Sequence, residues 1–304
     1  MHKRVNFVSD TQDANQTHNN EVVLFSLDAL DIRGRAVRLD HIVDEIISAH
    51  DYPQSVSAYV AQLISLSCLF SSLFKFEGIF SLQVQSSSAL KMLACDVTSK
   101  GEVRACASFD EDHADEDDFK LGEGYVVFTI DQESEKDRYQ GIVQIHNGDL
   151  VESVQHYFNQ SEQIPTGIKA ACNQDADGRW TAGGVLLQRL PDQGGTAEKT
   201  DKTDARDQWQ HAMVLLSSLT DEEICDRDLS LHDVLLRLFH AEGPRVFDPI
   251  PLVKKCRCSR DKLLGVLRSM DPAEKADITK EPEIEVQCEY CAEKYKFSAE
   301  DING

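Results

Sequence analysis

Residues 56–74 read VSAYVAQLISLSCLFSSLF, and this stretch determines much of the fold predicted for the first half of the chain. Its length and strongly apolar character predict one long helix that ends near Gly78. Other segments alternate apolar and polar residues as β-strands do, at 24–39, 79–85, 102–109, 125–131 and 140–146. Together these patterns predict an α+β protein whose N-terminal domain packs helices against several strands.

Composition divides the chain into four predicted units. They are a disordered tail (1–20), an N-terminal α/β core domain (21–191), a flexible linker with middle helices (192–255) and a small C-terminal cysteine module (256–304). Further helices are predicted at 41–49, 150–159, 209–219 and 229–239, a short apolar strand at 182–188, and a solvated acidic loop at 110–118. The linker prediction rests on residues 191–207, which contain almost no apolar side chain. Thr220, followed by acidic residues, is predicted to cap a helix.

The charge of the chain excludes some classes of partner. The 304 residues include 31 basic and 53 acidic ones, for a formal net charge of -22. This charge repels phosphate backbones and anionic headgroups, so neither nucleic acid nor a membrane is a predicted partner. No run of about 18 apolar residues occurs, and the first twenty residues lack the apolar core of a signal peptide. We therefore predict a cytoplasmic protein whose nine cysteines are free thiols or metal ligands.

Four of the cysteines form two close pairs near the C-terminus. Cys256 and Cys258 enclose one residue, Cys288 and Cys291 enclose two, and 29 residues separate the pairs. Four thiolates suit Zn²⁺, and the surrounding module of about fifty residues has few large apolar side chains with which to build a core. We therefore predict that these cysteines bind one Zn²⁺ ion, which would stabilise the module. The basic residues expected to offset the thiolate charge are Lys254, Lys255, Arg257 and Arg260.

The spacing of the pairs leaves the role of the metal open. A structural zinc ribbon is one interpretation, and a redox switch is another, because each pair is close enough to close on itself as a disulfide once zinc leaves. Metal binding and oxidation would then compete for the same sulfurs. The remaining cysteines, which are predicted to be small buried apolar residues, are Cys68, Cys95, Cys106, Cys172 and Cys225.

The sequence contains no pattern that indicates an enzyme. Phosphate-binding glycine loops, the GxSxG elbow and the HExxH zinc motif are all absent. Histidines occur singly rather than at ligand spacing, at positions 146, 156, 211, 232 and 240. We therefore predict a protein without a catalytic site.

Several segments together resemble the 33-kDa heat-shock protein family of redox-regulated chaperones. The most specific are Ser-Glu-Gln-Ile-Pro-Thr at 161–166 and the paired motifs Cys-Arg-Cys-Ser at 256–259 and Cys-Glu-Tyr-Cys at 288–291. Further similarity lies at 125–131, 138–143, 182–191, 237–240 and 245–247. The likeness runs in order from about residue 24 to residue 302 and so covers nearly the whole chain.

The resemblance implies an ATP-independent holdase that binds unfolding client proteins. It implies a zinc-loaded, weakly active reduced form with ligands Cys256, Cys258, Cys288 and Cys291. Oxidation would form the disulfides Cys256–Cys258 and Cys288–Cys291, release zinc, unfold the C-terminal module and favour a homodimer. Our own hypothesis is that the middle helices, within 209–247, cover a client-binding surface until the module melts.

Two other functions fit part of the sequence. The first is a constitutive zinc-ribbon module for protein interaction. The net charge of -22 counts against a version of this module that binds nucleic acid. The second is a thiol–disulfide oxidoreductase that uses Cys288 and Cys291. That function requires the pair at a helix N-terminus within a thioredoxin-like βαβ unit, for which the module is too short.

Overall fold

A computed structural model describes residues 19–116, 118–132, 139–190 and 202–303. The strands are β1 (Glu21–Leu27), β2 (Ile32–Leu39), β3 (Gly78–Ser86), β4 (Leu90–Thr98), β5 (Glu102–Phe109), β6 (Gly124–Gln132), β7 (Tyr139–Gln144), β8 (Thr166–Gln174), β9 (Trp180–Arg189), β10 (Arg245–Val246), β11 (Ile250–Pro251), β12 (Val253–Lys254), β13 (Ile284–Gln287) and β14 (Lys294–Phe297). The helices are α1 (His41–Ile47), α2 (Gln54–Ser71), α3 (Leu150–Gln160), α4 (Lys202–Ser218), α5 (Asp221–Cys225), α6 (Leu231–Phe239), α7 (Arg260–Ser269), α8 (Pro272–Ile278) and α9 (Ala299–Asn303). The α+β class predicted from sequence is confirmed.

Two six-stranded sheets form the N-terminal part of the fold. In the first sheet the strand order is β10-β1-β2-β9-β8, and β11 also pairs with β1. In the second sheet the order is β12-β5-β4-β3-β6-β7, in which β12 runs parallel to β5 and the other neighbours are antiparallel. The predicted solvated loop at 110–118 contains a short 3-10 helix, Glu111–Glu116.

The long apolar helix α2 lies between the two sheets. It contacts β2, β8 and β9 of the first sheet and β3, β4 and β5 of the second. Because it has a sheet on either side, it is buried around most of its circumference, and its serines Ser65 and Ser67 donate hydrogen bonds to the carbonyls of Ala61 and Leu63. This arrangement explains why the segment has no polar face. Neither α2 nor another helix in the described ranges has the length and hydropathy of a membrane span.

The middle helices α4, α5 and α6 cover the other face of the first sheet. They share a second apolar core with β1, β2 and β9, which includes Phe25, Leu187, Leu216, Leu235 and Phe239. Thr220 caps α5 through a reciprocal capping box with Glu223, as the sequence predicted. Beyond α6 the chain returns to the sheets, because β10 and β11 pair with β1 and β12 pairs with β5.

The prediction of a flexible linker at 191–207 is wrong for the C-terminal end of that segment. Residues 202–207 belong to α4, whereas residues 191–201 lie outside the described residues. The helix forms because Ala205, Trp209, Ala212 and Leu216 recur at intervals of three and four residues, and all but the half-buried Trp209 are buried. The linker prediction relied on the low apolar content of this segment. A few apolar residues at helical spacing are nevertheless enough to pack a helix against this surface.

One buried arginine attaches the middle helices to the first sheet. Arg38 on β2 is fully buried, and its guanidinium donates hydrogen bonds to the backbone carbonyls of Glu223, Ile224 and Leu229. Burial lowers the pKa of Arg38, although nearby Asp226, Cys225 and Asp40 oppose that effect.

Arg38→Ala is therefore expected to lower the free energy of unfolding by about 3 kcal/mol, because three buried or part-buried carbonyls lose their donor and the long side chain leaves a void. Urea unfolding followed by circular dichroism measures the effect. Arg33→Ala is the matched control, because Arg33 lies exposed on the same strand and its replacement should change stability by less than about 0.5 kcal/mol. Equal effects of the two substitutions would contradict the role given to Arg38.

Candidate metal centre

The C-terminal unit, residues 256–303, has a very small apolar core. Its buried cluster contains Leu267, Phe297 and Ile302, with partly buried side chains around them. Three buried side chains supply far less burial than an independent domain of this length needs. The unit therefore requires another source of stability, as the sequence predicted.

The fold places the two cysteine pairs in two adjacent loops. Cys256 and Cys258 lie between β12 and α7, and Ser259 directly after them caps α7 by accepting from the backbone N–H of Lys262 at 3.3 Å. Cys288 and Cys291 lie in the tight loop that joins β13 to β14. This loop is closed by a 2.9 Å hydrogen bond from the N–H of Cys288 to the carbonyl of Glu293.

The four sulfurs converge in the geometry that a tetrahedral metal site requires. The Sγ atoms of Cys256 and Cys288 are 3.8 Å apart, those of Cys258 and Cys291 are 3.5 Å apart, and all four lie within 4.8 Å of one another. A tetrahedral ion with metal–sulfur bonds of about 2.3 Å places its ligands about 3.8 Å apart. Each short contact joins one cysteine of the first pair to one of the second, so the cluster ties the two loops together. Within the described residues this is the one group of three or more potential ligands at such spacing.

The protonation of the cluster is uneven. Burial opposes ionisation of Cys256, but hydrogen bonds from the Cys258 backbone and from the neighbouring thiols outweigh it and lower its pKa to about 7. Burial raises the pKa of Cys258 and of Cys291. A divalent cation bound to the four sulfurs would displace the remaining protons, since only thiolates are good ligands. The Oη atom of Tyr295 also lies 3.3 Å from the Sγ of Cys258.

The basic residues expected to offset the thiolate charge have carboxylate partners instead. Pairs join Lys254 to Glu45, Lys255 to Glu102, Arg257 to Asp96 and Arg260 to Asp301. The cation at the cluster is Arg104 of β5, whose hydrogen bonds to Asp96 and Cys256 outweigh burial and raise its pKa. Sequence reasoning missed Arg104 because it lies on a distant strand, and only the docking of the C-terminal unit on β5 brings it to the sulfurs.

The five other cysteines are not part of the four-sulfur cluster, and His50 contacts the second cysteine loop, with its Nε2 atom 2.9 Å from the carbonyl of Glu289. Cys68, Cys95, Cys106 and Cys225 are buried as predicted, and Cys172 is half-buried. Burial raises the pKa of Cys106 and of Cys225 to about 12, which makes these thiols unreactive as thiolates. His146 and His156 stack with their ring centroids 5.3 Å apart, and neither belongs to a group of three or more potential metal ligands among the described residues. The pair Cys288 and Cys291 lies in a hairpin loop rather than at a helix N-terminus, unlike an oxidoreductase motif.

Comparisons with known proteins agree on one family. The family model described as "Hsp33 protein" matches residues 20–298. A protein of Shewanella frigidimarina named "33 kDa chaperonin" is 34% identical over 288 residues, which cover 93% of this chain and 95% of that protein. A "33 kDa chaperonin" of Caulobacter vibrioides is 34% identical over 290 residues, covering 91% of this chain and 94% of the relative. The crystal structure of a 33 kDa chaperonin (heat shock protein 33 homolog) from Thermotoga maritima superposes with a TM-score of 0.76 at 21% identity, covering 94% of this chain and 97% of that one, and shows a common fold.

Proposed function

This chain belongs to the Hsp33 protein family, and we propose that it is a redox-regulated, ATP-independent chaperone of the cytoplasm without enzymatic activity. Its partners are unfolding client proteins, which it holds and keeps from aggregating under oxidative stress. In the reduced form it binds one Zn²⁺ ion and is inactive. In the oxidised form it carries the disulfides Cys256–Cys258 and Cys288–Cys291, has released zinc and forms a homodimer.

The observation that carries this proposal is the convergence of four sulfurs in a unit with a small core. The Sγ atoms of Cys256, Cys258, Cys288 and Cys291 lie within 4.8 Å of one another, while the unit has three buried apolar side chains. Four sulfur donors at tetrahedral spacing fit Zn²⁺, which when bound keeps the sulfurs deprotonated and links the two loops. The stability of the unit therefore depends on the chemical state of the same atoms that an oxidant attacks.

The oxidation balances in atoms and electrons. Each pair of thiolates gives two electrons to one hydrogen peroxide molecule, forms one S–S bond and, with two protons, releases two water molecules. Two peroxide molecules thus convert the four ligands to two disulfides. A disulfide within each pair holds two sulfurs about 2.05 Å apart, whereas the shortest contacts of the cluster, 3.5 Å and 3.8 Å, join a sulfur of one pair to a sulfur of the other. The oxidised sulfurs cannot keep the tetrahedral arrangement, and the link between the two loops is lost.

Loss of this link favours unfolding of the C-terminal unit and then of the segment before it. The strands β10, β11 and β12 connect the cysteine loops directly to α6. The middle helices carry exposed apolar side chains, with Val214 at 66% and Leu236 at 47% exposure. Release of these helices would also expose the apolar side chains of their inner face. The exposed side chains would together form a large apolar surface that can bind client proteins.

Light scattering from an unfolding client without ATP tests this function. We expect zinc-loaded reduced protein to leave client aggregation nearly unchanged and peroxide-treated protein to suppress most of it, with dithiothreitol and zinc restoring the inactive form. Zinc content is measured in the same samples. Zinc retained after peroxide, together with two equally inert forms, would contradict the proposal and favour a constitutive zinc-ribbon interaction module.

A further inference from the structure

A single carboxylate on β4 connects the C-terminal unit to the second sheet. Asp96 is only 4% exposed, and it accepts hydrogen bonds from Ser81 at 2.6 Å and from the Nη2 atom of Arg257 at 2.6 Å. It also accepts from the Nε and Nη2 atoms of Arg104, at 2.9 Å and 2.7 Å. Three donors from three different segments therefore meet at one buried anion.

Both cysteine loops are linked to this anion through different residues, and the second loop also contacts His50, whose Nε2 atom lies 2.9 Å from the carbonyl of Glu289. Arg257 stands between Cys256 and Cys258, so its bond to Asp96 fixes the first loop on the sheet. Tyr290 stands in the second loop, and the guanidinium carbon of Arg104 lies 3.8 Å from the centroid of its ring. Asp96 orients Arg104 and so holds this cation–π contact in place. Neither contact uses a cysteine sulfur, yet both require the loop backbones to keep their present conformations.

The contact of Arg257 is strained in one respect. Its Nη1 atom is buried without a hydrogen-bond partner among the described residues. A buried unpaired N–H costs free energy, and the ion pair of the same guanidinium with Asp96 offsets that cost. Once the first loop changes shape and this bond breaks, the guanidinium gains hydration by leaving the interface. The interface is thus stable in one arrangement of the loops and unfavourable in others.

The unit covers a face of the sheet that would otherwise be in water. The inward side chains of β4 and β5, including Leu93, Cys95 and Val103, belong to the main core. Ala94 and Cys106 point to the opposite face, and they are nevertheless only 2% and 1% exposed. Cys106 lies two residues from Arg104 on β5 and so on the same face of the sheet, where the ring of Tyr290 lies over the Arg104 guanidinium. The second cysteine loop therefore lies over Cys106.

We propose that Asp96 is a latch that holds the C-terminal unit on the outer face of β4 and β5 while both cysteine loops keep their metal-bound conformation. The proposal rests on the proposed function, because it describes how the state of the four sulfurs reaches the N-terminal domain. Disulfide formation displaces Arg257 and Tyr290, the latch opens, and the face around Cys106 becomes exposed. The latch controls docking, whereas the sulfurs control metal binding.

Asp96→Asn in the full-length, reduced, zinc-loaded protein separates these two roles. Asparagine keeps the size of the side chain and can still accept from Ser81, but it loses the charge that holds both guanidinium groups. We expect zinc to stay at one ion per chain and N-ethylmaleimide to label Cys106 at least about tenfold faster than in the native protein. Cys68 and Cys95, which face the main core, are internal controls and should stay unlabelled.

Glu285→Gln is the matched control variant, because it removes an exposed ion pair with Lys294 inside the C-terminal unit and should leave Cys106 protected. Unchanged labelling of Cys106 in Asp96→Asn would overturn the latch, and so would loss of zinc, which would show that Asp96 supports the metal site itself. The readout needs no client protein. Failure of the latch is therefore distinguishable from failure of the proposed chaperone function, which would appear as an inert oxidised native protein.

Discussion

Cys288→Ser is expected to abolish tight zinc binding and to unfold residues 256–303, while strands β1 to β9 stay folded. Cys288 is 6% exposed and lies 3.8 Å from Cys256, so a serine at this position removes a buried ligand from the centre of the unit. The three buried apolar side chains of the unit contribute about 5–9 kcal/mol at about 1.5–3 kcal/mol each. A structural zinc ion contributes about 10–16 kcal/mol in comparable peptides, so its loss outweighs the core.

Zinc content and hydrogen exchange measure this effect together. In the variant, the zinc content should fall to near zero and the amides of β13, β14 and α7 should exchange at rates near those of an unfolded chain. Cys172→Ser is the control. Cys172 lies on β8, outside the C-terminal unit, so its replacement should leave both measurements unchanged. A variant that keeps one zinc per chain, or that keeps protected amides without zinc, would contradict the metal-dependent fold.

Oxidation of the native protein is expected to release the middle helices, with protection of residues 209–239 falling about a hundredfold or more. These helices are held by a second core and by Arg38, whose guanidinium has only carbonyl partners in its hydrogen bonds. A buried cation bound in this way regains hydration when the helices leave, which offsets part of the cost of release. The strands β10 to β12 transmit the change, since they lie in the segment that joins α6 to Cys256.

Limited proteolysis and hydrogen exchange, applied to zinc-loaded and oxidised protein, test the release. Cleavage should appear between residues 205 and 245 only after oxidation, while β3 and β6 stay protected in both states and serve as the internal control. Equal protection of the middle helices in the two states would show that they are a fixed part of the N-terminal domain. Client binding would then require another surface.

Local patterns in the sequence predicted much of this structure. The apolar stretch of α2, the capping residue Thr220 and the alternation in β5 depend on neighbours in the chain, so their signals are local. The spacing of the four cysteines likewise identified the candidate site, because two pairs of closely spaced cysteines are a typical ligand set for one Zn²⁺ ion.

Features that depend on distant parts of the chain were not predicted. β4 shows no alternation at 93–97, because the C-terminal unit buries the face that would otherwise carry polar residues, and β8 was missed as well. Arg104 and Asp96 look like ordinary charged strand residues until the fold places the cysteine loops over them. The flexible linker was extended too far, since the sheet surface that stabilises the first turns of α4 is distant in sequence.

One peroxide time course tests the central claim most directly, with zinc release and suppression of client aggregation followed in the same sample. A chelating dye reports zinc, and portions quenched at each time are assayed for holdase activity and for the two disulfides. We expect suppression to rise only as zinc is released and Cys256–Cys258 and Cys288–Cys291 form, and dithiothreitol with zinc to reverse all three. Suppression that is already complete while zinc is fully bound, or complete zinc release without any suppression, would contradict the account.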